Sequence, residues 1–319
     1  MKVLIADKFE AGGIGELKEM GCEVTFDPDL KEAALIKALK GVGPAVLVVR
    51  STKVTAEHLG TTDTLKLVLR AGSGYNTIDI ANAKERGIRV ANCPGLNSTA
   101  VAELTMGLIM ALDRRIVDNV NDLRRGAWDK KAYGKARGLK GRTLGLVGMG
   151  QIGRLVARRA VAFEMKLLYS DVVPAEEFDK MDCVERVELD DLLRRADVVT
   201  LHVPELPATK GMIDRRRIGL MQPHAFLINT CRGSVIDEAA LIEALKEKKI
   251  AAAACDVYAS EPSSTKGEFV GAIKGLPNFY GTHHIGASTD QAQSAVAEEA
   301  VRIIREFKSS GNVLHCVNG

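Results

Sequence analysis

The chain has 319 residues, a formal net charge of +3 and a charged fraction of 27%, so it is long enough for two domains that each bury a core. That balance gives no reason to expect nucleic acid or a membrane surface as a partner. Six scattered cysteines without a CxxC pair argue against a disulfide framework and against a structural metal, and they fit a reducing, cytoplasmic compartment. "MKVLIAD" is too short an apolar run for a signal peptide, and no run approaches the ~18 apolar residues of a membrane span. Small-molecule chemistry in a soluble, unexported protein is the expectation.

In chain order, the first 97 residues alternate short β-branched runs with helical spacing. "KVLIA", "CEVTF", "AVLVVR", "LKLVLRA" and "IRVAN" predict the strands of one parallel sheet with helices on both faces. The segment "STAVAELTMGLIMALDRR" then has the length and apolar fill of a buried helix, opened by an Asn97 or Ser98 cap. It leads into a second series of predicted strands: "TLGLVG", "MKLLYS", "DVVTLHV", "AFLINT" and "AAAACDV". A final helix from Asp290 to about Ser309 carries Val296, Ala300, Ile303, Ile304 and Phe307 at helical spacing and is expected to pack back on the first domain. The fold class is therefore α/β, with two doubly wound parallel sheets.

"RTLGLVGMGQIGRLVARRA" sets Gly148, Gly150 and Gly153 between an apolar strand and a helix. The first glycine allows a tight turn, the second lets a pyrophosphate approach the backbone, and the third lets strand and helix pack closely. Helix amides then face the phosphates. The next strand ends at Asp171, where an acid meets the adenosine ribose hydroxyls and repels a 2′-phosphate. NAD, rather than NADP, is the expected cofactor.

Further on come three polar marks, each next to an apolar strand: Arg232 in "NTCRGSVIDE", Glu261 in "DVYASEP", and the pair His283 and His284 in "GTHHIGAST". Ligands of open α/β sheets sit at strand ends. A 2-oxo acid needs a guanidinium for its carboxylate and a proton source near its carbonyl oxygen. A carboxylate beside the imidazole favours the charged ring, and Glu261 can supply it. Taken singly, each residue is better read as a salt-bridge partner or a loop polar group. Order and spacing together favour chemistry.

Through "LVGMGQIG", "LHVPELPAT", "NTCRGSVIDEAAL", "ACDVYASEP" and "HIGAST" the sequence resembles the D-isomer-specific 2-hydroxyacid dehydrogenase family almost end to end. The resemblance implies that Arg232, Glu261 and His284 are the catalytic set, His284 standing two residues before the glycine of HxGAS. His283 occupies a place where the family usually has proline. In an extended segment neighbouring side chains point to opposite sides, so the two histidines are not expected to share the work. The resemblance further implies cofactor contacts at Ser73, at Gln151 and Ile152 beside the three glycines, and at Val203, Pro204 and Thr209 of "LHVPELPAT". Thr230, Cys231, Arg232 and Asp256 follow, then His284, Gly286 and Ala287.

Within the family, "VVRSTKVT", "LRAGSGYNTID" and "NSTAVAEL" look most like short forms of D-3-phosphoglycerate dehydrogenase. That likeness implies a substrate carboxylate held by backbone around Gly72 and Ser73 together with Arg232, and a substrate phosphate facing Arg50, Ser51 and Lys53. Lys130 and Lys131 are similar to basic residues that reach a neighbouring subunit's site, and read equally well as a solvated basic face; a homodimer or higher homo-oligomer is implied. From the ending "NVLHCVNG", the C-terminal regulatory domain of longer relatives is not expected. The implied architecture is a Rossmann-type NAD domain, residues 98–288, inserted into a flavodoxin-like substrate domain of residues 1–97 and 289–319, with the active site in the cleft between them. A glyoxylate or hydroxypyruvate reductase is the rival of the same chemistry. A dinucleotide-sensing protein like the corepressors that resemble this family is the rival of a different class.

Overall fold

A computed structural model of the protein describes residues 1–262 and 267–319. Met1–Asn97 and Ala287–Gly319 form one compact unit, and Ser98–Gly286 forms the other.

The first unit is built on β1 (Lys2–Ile5), β2 (Glu23–Phe26), β3 (Val46–Val49), β4 (Leu67–Arg70) and β5 (Arg89–Asn92). All pairs are parallel and the order is β2-β1-β3-β4-β5, the flavodoxin-like arrangement. Side chains alternate across this sheet as the period of two requires. Val3, Ile5, Val46, Val48, Leu67 and Leu69 pack on one face, while Leu4, Leu47, Val49 and Val68 pack on the other with Leu35 and Leu39. The final helix, Asp290–Ser310, covers the first face with Ala300, Val301, Ile303 and Ile304. Each of the two isoleucines is fully buried, which contributes about 1.5–3 kcal/mol apiece. Thr289 caps the helix start by accepting from the Ala292 amide at 3.2 Å, and Gly311 ends it in the left-handed region.

The second unit is built on β6 (Thr143–Val147), β7 (Lys166–Ser170), β8 (Val184–Arg186), β9 (Val198–Leu201), β10 (Phe226–Asn229), β11 (Ala252–Cys255) and β12 (Phe279–Gly281). Its parallel order is β12-β11-β10-β9-β6-β7-β8. This is the Rossmann order with one further strand, and the order reverses between β6 and β9, where such sheets bind ligands. β8 and β12 were not expected from the sequence. Each is a three-residue edge strand with half-buried and exposed positions, too short to show alternation.

The helix Ser98–Arg114 buries Ala102, Met106 and Ile109 in one core with Val156, Ala157 and Ala160 of the helix Gln151–Ala162. Neither expected cap takes that role through the bonds it makes. Ser98 is the first helical residue and donates to Gln151 Oε1 at 3.3 Å, while Asn97 Oδ1 accepts the Ser73 hydroxyl at 2.7 Å. Among the described residues no helix is long and apolar enough to cross a membrane.

Candidate active site

At the end of β6 the chain turns through Gly148, whose φ of +98° suits glycine and whose added Cβ would lie 2.6 Å from the His202 carbonyl oxygen. A Cβ on Gly153 would come within 2.1 Å of the Gly148 oxygen, so strand and helix touch backbone to backbone. Above Gly150, the N-cap of the helix Gln151–Ala162, a Cβ would meet nothing within 4 Å. An open space over a helix N-terminus, closed off on its inner side, fits a pyrophosphate. Gln151 and Ile152 form the first turn of that helix.

Asp171 follows β7 directly. Its Oδ2 accepts from the Met149 amide of the glycine turn, and its Oδ1 accepts from Val173 at 2.9 Å. The carboxylate is thereby pinned beside the turn as a fixed negative wall. Beyond β9, Thr209 Oγ1 donates to the Pro204 carbonyl at 2.6 Å and accepts from Leu206 at 2.9 Å, closing the loop that carries Val203. Beyond β10, Thr230 is buried against Thr105, with 2.9 Å between hydroxyls. Burial pushes the neighbouring Cys231 thiol up to about 11, which keeps it protonated and inert.

The expected reacting residues lie on the exits of three adjacent strands, β10, β11 and β12. Arg232 stands three residues past β10 in a loop held by Asn229. The Asn229 Oδ1 accepts from Cys231 at 3.0 Å and its Nδ2 donates to the Arg232 carbonyl at 2.9 Å. Gly233 brings this loop onto the exit of β11, since a Cβ there would sit 2.0 Å from the Tyr258 carbonyl carbon. In that second exit, Glu261 Oε1 accepts from the Tyr258 amide at 3.0 Å, and Oε2 lies 2.8 Å from His284 Nδ1. Burial pushes the Glu261 carboxyl up. The His284 hydrogen bond and charge, the Tyr258 amide and the Arg232 guanidinium outweigh it, so the carboxyl titrates below its ordinary range. A carboxylate on Nδ1 fixes the proton there and leaves Nε2 as the nitrogen that can exchange one.

The backbone around His284 corrects the expected extended segment. His284 has φ +53°, a left-handed conformation that a histidine holds only when its surroundings impose it. Asp256, 1% exposed, imposes it. Its Oδ1 accepts from the Thr282 hydroxyl at 2.6 Å and the Ile285 amide at 2.9 Å, and its Oδ2 accepts from the Gly286 amide at 2.8 Å. Asp256, expected beside the cofactor, thus brackets His284 from both sides. His283 and His284 are therefore separated by this turn rather than by a strand's alternation. Both histidines are exposed, and it is His284 that meets Glu261.

In the first unit Arg50, Ser51 and Lys53 follow β3, but the structure changes the part open to Ser51. Asp7, buried at the end of β1, accepts from the amides of Arg50 (2.6 Å), Ser51 (3.0 Å) and Thr52 (2.9 Å), and from the Ser51 hydroxyl (3.0 Å). The amide cradle that could hold an anion already holds this carboxylate. Arg50 Nη1 donates to Gln293 Oε1 at 3.0 Å, and Lys53 is exposed. The Gly72 amide donates to the Arg70 carbonyl at 2.9 Å, and the Ser73 hydroxyl donates to Asn97 while accepting from Gly95 at 3.1 Å. The Gly72 amide, one of the expected backbone donors to a carboxylate, is thus committed inside the unit. Ala287 opens the stretch that clusters with this unit, and Lys130 and Lys131 are exposed on a single helical turn of the other. Asp7, Asn229 and Thr282 went unnoticed in the sequence. The one signal each gave was a polar residue just past an apolar run.

Residues 106–286 match the NAD binding domain of the D-isomer specific 2-hydroxyacid dehydrogenases. The chain belongs to this family. Among these dehydrogenases, D-3-phosphoglycerate dehydrogenase of Methanocaldococcus jannaschii is 42% identical over 311 residues, which are 96% of this chain and 58% of that relative. The chain thus spans little more than half of that protein's length. Hydroxypyruvate reductase of Thermotoga maritima is 43% identical over 290 residues, 91% of either chain. The crystal structure of D-lactate dehydrogenase from Aquifex aeolicus, complexed with NAD and lactic acid, has a TM-score of 0.85 at 29% identity and covers 100% of this chain and 99% of that one. The glycine turn and Asp171 fall inside the family's NAD-binding domain.

Proposed function

We propose that the protein is an NAD-dependent D-2-hydroxyacid dehydrogenase that interconverts 3-phosphoglycerate and 3-phosphohydroxypyruvate, an oxidation that leads toward serine. The 2.8 Å contact of His284 with Glu261, beside Arg232, carries the reading. NAD, when bound, supplies the hydride acceptor for C2 of the hydroxy acid. His284 Nε2 takes the proton of the C2 hydroxyl in oxidation and returns it to the carbonyl oxygen in reduction. Glu261 holds the ring by Nδ1 and offsets the positive charge it gains. Arg232 holds the substrate carboxylate and polarises the carbonyl oxygen through a planar fork that a single ammonium lacks. Arg50 and Lys53 face the phosphate.

A second reading, reduction of unphosphorylated hydroxypyruvate, draws on the commitment of Ser51 to Asp7 and on the Thermotoga relative of matching length. Steady-state reduction of 3-phosphohydroxypyruvate and of hydroxypyruvate with NADH separates the two. Charge-assisted contacts to a phosphate are worth about 1.5–3 kcal/mol each, so kcat/KM is expected to favour the phosphorylated acid by roughly one to two powers of ten. With NADPH in place of NADH the same assay is expected to slow, because Asp171 repels a 2′-phosphate. Equal values for the two acids would leave the hydroxypyruvate reading in place.

A homodimer is proposed from the helix Ile116–Arg124, which buries none of its residues. Ile116, Val117, Val120 and Leu123 make one exposed apolar stripe on it, and Trp128 just beyond is 80% exposed. An aromatic next to such a stripe suits a self-complementary contact. Sedimentation at micromolar concentration is expected to give twice the 34.4 kDa chain mass, and a monomer with this stripe intact would refute it.

A further inference from the structure

We propose that Gln293 is a positioning residue which aims the Arg50 guanidinium and so sets how strongly the protein prefers a phosphorylated 2-oxo acid. This rests on the reading that Arg50 faces the substrate's phosphate. The backbone of Arg50 is immobilised by Asp7, whose carboxylate accepts its amide at 2.6 Å, but that anchor stops at the Cα. Beyond it the side chain has several rotatable bonds, and ordering a chain of that kind costs conformational entropy. A cation tethered only at its base spends much of that cost again at each binding event. Gln293 removes part of it by accepting from Nη1 at 3.0 Å.

The orientation of the Gln293 amide follows from the partners. Arginine has donors only, so the oxygen of Gln293 must face it. The amide nitrogen is then turned toward the Thr289 carbonyl, 3.5 Å away, and Thr289 is the residue that caps this helix. Gln293 lies in the first turn past that cap, on a helix anchored by Ala300, Ile303 and Ile304 in the core of the same unit. The guanidinium is therefore referenced to a rigid element, although its own loop is irregular.

The neutrality of the acceptor matters as much as its position. A carboxylate at 293 would hold Arg50 more tightly while cancelling the charge that a phosphate has to find. An aliphatic residue of similar size would leave the charge and release the direction. The two changes disturb the same preference by different routes, and an amide avoids both.

The experiment measures kcat/KM for 3-phosphohydroxypyruvate over kcat/KM for hydroxypyruvate, both with NADH, in the unaltered chain and in Arg50→Ala, Gln293→Leu, Gln293→Glu and Arg50→Ala/Gln293→Leu. Arg50→Ala is expected to lower the ratio by roughly 10- to 100-fold. Gln293→Leu should lower it by about 3- to 10-fold and Gln293→Glu by about 10-fold or more, the change appearing in KM for the phosphorylated acid rather than in kcat. In the double variant Gln293→Leu should add nothing to Arg50→Ala, because it acts through that side chain. If Arg50→Ala lowers the ratio but both Gln293 variants keep it within about twofold, inside the scatter of independent sites, the role of Gln293 is refuted and the phosphate reading stands. If Arg50→Ala itself leaves the ratio unchanged, the phosphate reading fails and this inference fails with it.

Discussion

Replacing His284 by Asn is expected to lower kcat by about 10²- to 10⁴-fold, the usual worth of general acid-base help, while His283→Ala changes kcat by less than about tenfold. Asparagine is the better probe because His284 sits at φ +53°, a conformation asparagine tolerates far more readily than alanine. The substitution removes the imidazole and keeps the turn that Asp256 builds around it. Loss of rate then reports the ring rather than a collapsed loop. NADH affinity, followed by cofactor fluorescence, should stay within a few-fold, since the glycine turn and Asp171 lie on the exits of β6 and β7 instead. Both histidines are exposed, but it is His284 that Glu261 meets. Comparable losses in the two variants would sink the assignment of the proton-transfer role to His284.

Much of this arrangement was legible because it is written in local pattern. Val3, Leu4 and Ile5 alternate between two cores, and Leu227 and Ile228 do the same in the second sheet, so apolar runs read as strands buried on both faces. The glycine turn was legible for a different reason. Its spacing is a steric requirement, visible here as the close approach of Gly148 to His202 and of Gly153 to Gly148. Arg232 and Glu261 could be picked out as polar residues after apolar strands and His284 by its likeness to the family's HxGAS pattern, but their proximity depends on β10, β11 and β12 being neighbours. β12, a three-residue edge strand, has no readable period.

What stayed hidden is carried by partners distant in the chain. Asp7 binds amides more than 40 residues away, and Asp256 binds a loop about 30 residues on. No periodicity encodes such pairs, because each forms only after two strand ends are brought side by side. The bonds of Ser51 were hidden for the same reason. The family likeness set it facing a substrate phosphate, and only the carboxylate arriving from β1 shows that its hydroxyl and amide both donate to Asp7.

Arg232→Lys is expected to lower kcat/KM by roughly 10²- to 10³-fold although the charge is kept, because a carboxylate and a carbonyl oxygen are matched by a planar fork and not by a point charge. The backbone gives no reason for a structural loss. Residue 232 has φ −148° and ψ 140°, ordinary extended values, and it is the main-chain carbonyl, not the side chain, that Asn229 holds. A Lys variant retaining activity within tenfold would mean that charge alone suffices. Arg232→Ala adds a second effect, read in the pH profile. The Arg232 guanidinium is one of the influences that hold the Glu261 carboxyl below its ordinary range, and removing a positive charge lets that pKa rise. Glu261 holds His284 as a carboxylate, so the contact is complete at higher pH and is lost as pH falls through the carboxyl's own pKa. The acid-side fall of kcat/KM should therefore begin at higher pH in Arg232→Ala than in Arg232→Lys, which keeps a cation beside Glu261. Identical acid limbs in the two variants would show that the guanidinium does not act on Glu261 during turnover.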